Sequence, residues 1–89
     1  MISNKDIEDY LNSLIDDILI NHDDVYKEAN LFDAKEEILL FRKKDDRIIG
    51  MMGYNDNLEV DFHSPGKEYI FTLETPSTLV KSKLLEMIM

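Results

Sequence analysis

Apolar residues recur along residues 5–20 at the spacing of one helix face. Ile7, Leu11, Leu14, Ile15 and Ile18 form a single stripe flanked by Tyr10 and His22, the pattern of an amphipathic helix. Asp6, Asp9, Ser13, Asp16 and Asp17 fall on the opposite side. Asn4 is the expected cap, and Asp6, Glu8 and Asp9 in the first turns suit the positive end of the helix dipole. Ile20 projects with the acids, which marks either the helix end or a second contact.

Residues 21–35 lack a clear period. Asn21-His22-Asp23-Asp24 reads as a break, with Asp23 or Asp24 capping a short second helix that buries Val25, Tyr26, Ala29 and Phe32. From residue 37 the period is that of strands. Ile38 to Phe41 is apolar on both faces, as in a well-covered strand. Lys43 to Asp46 is a turn, and Ile48 to Tyr54 is a second strand containing Gly50 and Gly53. Asn55-Asp56-Asn57 is a turn of residues that tolerate left-handed backbone. Leu58, Val60 and Phe62 alternate with Glu59, Asp61 and His63, a half-buried strand. After the turn Ser64 to Lys67, Tyr69, Phe71 and Leu73 face inward, with Thr72 and Glu74 outward. Such short connections require antiparallel neighbours.

Thr75-Pro76 opens a last helix, with Thr as cap and Pro at the first helical position. Leu79, Val80, Leu84, Met87 and Ile88 are its apolar stripe. The fold expected is α+β: a four-stranded antiparallel meander sheet packed on N- and C-terminal helices, in the order α-(α)-ββββ-α. At 89 residues this is a single domain, 1–89. Two helices cover one sheet face. The other is expected to show Leu39, Ile49, Met51 and Ile70, an interface for a homodimer or assembly subunit.

Composition narrows the chemistry. Cysteine is absent, which excludes disulfides and thiolate sites and favours a reducing cytoplasm. The first residues show no basic stretch followed by an apolar run, so no secretory leader is expected, and no apolar run is long enough to span a membrane. No serine or threonine has a glycine-elbow context. His63 and Ser64 are strand neighbours that point to opposite faces, and His22 suits the end of the first helix. Carboxylate pairs at 16–17, 23–24 and 45–46 have no cleft in so short a chain to hold a sugar.

Asn55, Asp56, Asn57, Glu59 and Asp61 resemble part of a calcium loop, but its sixth and twelfth positions hold Val60 and Gly66 where glycine and glutamate are needed. Gly50-Met51-Met52-Gly53 has the spacing of the KH phosphate clamp, yet it lies in a strand pattern, where glycines mark a bulge or a close helix approach. Neither catalytic nor metal residues are assigned, no cofactor is expected, and the protein is not expected to be an enzyme.

Charge is the informative property. The net charge is -9, from 19 acids and 10 bases, which argues against direct contact with nucleic acid or anionic membrane. The excess is regional. Residues 1–37 hold 11 acids against 3 bases, whereas residues 38–89 hold 8 against 7. On the first helix Asp9 and Asp16 are about 10.5 Å apart by helical rise, and Asp6, Asp17, Asp23 and Asp24 extend the line. A line of this kind is either the solvated face of the helix or a mimic of the phosphates of a DNA strand that docks on a basic groove. Ile20, Tyr26 and Tyr54 are the candidate apolar anchors beside it.

In size, acidity and mixed α/β make-up the chain resembles small phage-encoded inhibitors of host defence, including anti-CRISPR proteins and DNA mimics. It is similar also to immunity proteins that neutralise nuclease toxins. These are functional classes, and no motif carries a residue role across. The resemblance implies an inhibitor in the cytoplasm, the host's for a phage protein. Its partner would be a protein with a basic surface, a nuclease or CRISPR effector, bound by a monomer or homodimer.

Overall fold

The structure, a computed structural model, describes residues 2–89, with Phe32 described by its backbone alone. Its elements run α1 (Asn4–Leu19), β1 (Val25–Phe32), β2 (Lys35–Arg42), β3 (Arg47–Tyr54), β4 (Glu59–Ser64), β5 (Lys67–Thr72) and α2 (Ser77–Ile88). The class is α+β, as the period changes predict. The sheet, however, has five strands in the order β1-β2-β3-β4-β5, all antiparallel. The expected four-stranded meander gains β1 at its edge, in place of the short second helix.

Two features hid β1 from its sequence. Lys27 occupies a core-facing position opposite Leu40, where its ammonium meets Asp16 at 2.7 Å and Asn12 at 2.9 Å on α1. A lysine there breaks the alternation that marks a strand. The β1–β2 turn is Asp33-Ala34, both at positive φ (51° and 62°). That is the backbone of a two-residue hairpin, but alanine replaces the expected glycine.

Both helices pack on one sheet face. The core joins Ile7, Leu11, Leu14, Ile15 and Ile18 of α1 to Ile38, Leu40, Met52, Val60 and Phe62 of the sheet and Val80, Leu84, Met87 and Ile88 of α2. The cap of α1 is Ser3 rather than Asn4. Its hydroxyl accepts from the Asp6 N–H, and the Asp6 carboxylate accepts from the Ser3 N–H at 3.0 Å, a reciprocal capping box. α2 starts one residue later than expected. Pro76 is the N-cap and no side chain caps the helix, while Thr75 Oγ1 lies 3.4 Å from Thr72 Oγ1.

Of the two glycines of β3, Gly50 lies beside a bulge and beneath a helix, as foreseen, whereas Gly53 lies at neither. The β2–β3 register shifts at Leu40/Phe41, so Ile49 is the extra residue of a bulge. At Gly50 a side chain would stand 2.9 Å from the Met87 methyl, so its absence lets α2 approach the sheet.

Candidate functional site

Of the acids aligned on α1 and beyond it, most are engaged within the chain. Asp6 belongs to the capping box, which holds its carboxyl below the usual carboxylate range through the Ser3 N–H and then the Ser3 hydroxyl. Asp9 pairs with Lys5 at 3.6 Å, Asp16 with Lys27 at 2.7 Å, Asp17 with Lys81 at 3.0 Å and Asp24 with Arg42 at 2.7 Å. Arg42 also donates to the Ile88 carbonyl at the end of α2. Asp23 is exposed and makes no ion pair among the described residues. The carboxylates stay solvent-facing, yet each bridge lowers the field that the line presents.

The apolar candidates separate. Ile20 caps the C-terminus of α1 and is 73% exposed. Tyr26 lies on the opposite side of the molecule from α1, on the sheet face that no helix covers. Tyr54 is 7% exposed and packed in the core. Its hydroxyl donates to Glu8 Oε2 at 2.6 Å. Burial, reinforced by that carboxylate, pushes its pKa up to about 12. It is a core residue and drops out as a surface anchor.

The uncovered face follows from the register. One row of cross-strand neighbours runs Glu28, Leu39, Met51, His63, Glu68 from β1 to β5. The row beside it runs Tyr26, Phe41, Ile48. On the other side Asp61 stands between Gly53 and Ile70, and Glu37 reaches Gly53 from β2. Tyr26 stacks on Phe41 with ring centroids 5.2 Å apart, and its hydroxyl donates to Asp46 at 3.0 Å. Partial burial and that acceptor raise its pKa. Leu39, Met51 and Ile70 are on this face as foreseen, Ile70 being 56% exposed. Ile49 is not; the bulge places it at 9% exposure.

Tyr26, Phe41, Ile48, Leu39 and Met51 are thus an apolar patch bordered by Glu28, Glu37, Asp61 and Glu68. Among the described residues, the one ionisable partner of the Asp61 and Glu68 carboxylates is the His63 imidazole, at 3.3 and 4.0 Å. Glu28 and Glu37 make no ion pair among the described residues. The fourth border is the β2–β3 turn, where Lys43, Lys44 and Arg47 stand against Asp45 and Asp46. Beside Met51 and His63, β4 turns away at Ser64-Pro65 while β3 runs on through Ile48 and Ile49. The notch left there has a volume of 210 Å³ and is almost wholly apolar. Of these border acids, reading by sequence marked Asp61 as outward-facing from its alternation with Val60 and Phe62. Glu28 and Glu37 were scattered among the acids of a segment whose strand was not recognised.

The oxygens of 55–61 do not converge. Asn55 Oδ1 accepts from the N–H groups of Asn57 and Glu59, and Asn55 Nδ2 donates to Glu59, which is a self-contained turn. Among the described residues no group of three or more histidine or acidic side chains is arranged to hold a metal ion. No described helix is long and apolar enough to cross a membrane. No family model matches the chain, and neither a curated protein nor a solved structure matches it.

Proposed function

We propose that the protein is a small acidic binding module that inhibits a nucleic-acid-processing protein by occupying its basic surface. The observation that carries this reading is where the charge lies. The net charge is -9, and no charged residue is fully buried among those described, so the excess lies at or near the surface of a domain of 5644 Å². A field of that sign accelerates encounter with a basic surface and makes the complex salt-sensitive. Extended basic surfaces are the footprint of proteins that bind phosphate backbones. Asp9 and Asp23, exposed on α1 and just beyond its end, add to that field.

Affinity capture from the source cell, eluted first with salt and separately with a DNA duplex, tests this. The reading requires captured nucleic-acid-processing proteins that both eluants release. Captured proteins that bind no nucleic acid, or that resist both eluants, overturn it.

A further inference from the structure

We propose that the uncovered face of the sheet, rather than α1, is where the partner docks, and that the segment docked there is an amphipathic helix with basic residues along both flanks. This rests on the reading of the protein as an acidic binding module and specifies its contact surface. The apolar patch spans β1 to β3, about 10 Å across two strand spacings, which matches the diameter of a helix, about 10 Å. It is the face that a further helical layer would complete, since α1 and α2 already cover the other side of the same sheet. The notch beside Met51, bordered on this face by Ile48, His63 and Pro65, takes one apolar side chain of that helix as its anchor.

The charges choose the occupant. Glu28 and Glu37 border the patch on the β1–β2 side, and Asp61 and Glu68 on the β4–β5 side. A helix with an apolar stripe flanked by arginine or lysine meets a carboxylate on each flank. A second copy of this chain meets the opposite situation. Two-fold pairing brings a surface against itself, so one acid-rimmed patch would lie against another, and like-charge juxtaposition disfavours it. The contrast with α1 is direct. There Asp16, Asp17 and Asp24 already hold lysine or arginine partners of their own chain, whereas Glu28 and Glu37 hold none among the described residues.

The test is a titration of the isotope-labelled chain with a synthetic amphipathic helical peptide of leucine and lysine, followed by amide chemical shifts. A leucine and glutamate peptide of the same pattern is the control. The expected shifts cluster on Tyr26, Leu39, Phe41, Ile48 and Met51, with the control inert. Met51→Lys is expected to weaken binding at least about tenfold. A double variant, Glu37→Lys with Glu68→Lys, changes only side chains outside the core. It is expected to weaken binding at low salt and flatten its salt dependence. Thermal melts establish that each variant is folded.

Shifts clustering on α1 around Asp9 and Asp23 overturn the docking site while leaving the acidic-module reading intact. Equal binding of the control peptide, or no binding of the basic one, overturns the choice of occupant. Dimerisation of the free chain that Met51→Lys abolishes assigns the face to a second copy and overturns the proposal.

Discussion

The Tyr54 hydroxyl and the Glu8 carboxylate, 2.6 Å apart, tie α1 to the central strand of the sheet. Glu8 Oε2 also accepts from the Glu36 N–H at 2.9 Å, so one carboxylate on α1 joins two strands. Removing the hydroxyl with Tyr54→Phe keeps the ring and loses a charge-assisted hydrogen bond, an expected cost of about 1.5–3 kcal/mol. The pH dependence is the sharper readout. The folded pKa is raised from 10.0 to about 12, so this contribution is complete below the unfolded value near 10. It is lost as pH rises through about 12. Urea unfolding between pH 9 and 12 should show the wild type losing stability more steeply than Tyr54→Phe. Parallel slopes would mean that Tyr54 does not titrate in this way.

At the other end of α1 the linkage has the opposite sign. Asp6 is held below 3.8 by the Ser3 N–H and hydroxyl, so its contribution is present above the unfolded value and is lost as pH falls through the lowered one. Ser3→Ala removes the cap and should cost about 1 kcal/mol. It should also bring the Asp6 carboxyl closer to its ordinary range, which carbon-detected NMR titration of the side chain measures directly.

The two glycines of β3 should respond differently to alanine. A Cβ on Gly50 would stand 2.5 Å from the His63 carbonyl oxygen and 2.9 Å from the Met87 methyl, whereas on Gly53 the nearest atom, Asp61 Oδ1, is 3.4 Å away. Gly50→Ala is expected to destabilise by about 1–3 kcal/mol, and Gly53→Ala to stay within about 0.5 kcal/mol of wild type. Shortening Met87 should not rescue Gly50→Ala, because the closer obstacle is backbone. Denaturant midpoints of the two single variants and of the double variant decide this.

The β1–β2 hairpin shows what was legible in the chain and what was not. Periodicity located both helices and the strands from Ile38 onward, because there each buried face is written in apolar residues. It placed Val60 and Phe62 inside and Asp61 and His63 outside by simple alternation. Three of four expected residues of the uncovered face, Leu39, Met51 and Ile70, lie on it for the same reason. Ile49 escaped because a bulge breaks the two-residue period, and Tyr54 because an aromatic next to a polar turn has no sequence mark of burial. β1 was lost because a charged residue, Lys27, takes a core-facing place, where Asp16 and Asn12 hold its ammonium. Its turn lacks glycine as well. Ala34 at φ 62° carries a strain that glycine avoids, so Ala34→Gly should stabilise the protein by about 1 kcal/mol. A higher thermal midpoint is the expected result, and a lower one would mean that the added chain flexibility outweighs the relief.

Whether the acids of α1 serve the fold or only a partner can be settled without knowing the partner. Asp16 and Asp17 hold Lys27 and Lys81, at 2.7 and 3.0 Å, from β1 and α2 respectively. Their carboxylates are about 60% exposed, so solvent screens each bridge and its worth is modest, at most about 1 kcal/mol. Reversing them replaces attraction with repulsion at both contacts, so Asp16→Lys with Asp17→Lys should lower the unfolding free energy, more at low salt than at high. Among the described residues, reversing Glu37 and Glu68 breaks no bridge to lysine or arginine, only the 4.0 Å approach of Glu68 to His63, and relieves repulsion among Glu28, Glu37 and Asp61. The same measurement on that pair should show no loss, and a small gain at low salt. Equal losses in both double variants would mean that the sheet-face acids support the fold as the α1 acids do, and that the uncovered face is not free to give its charge to a partner.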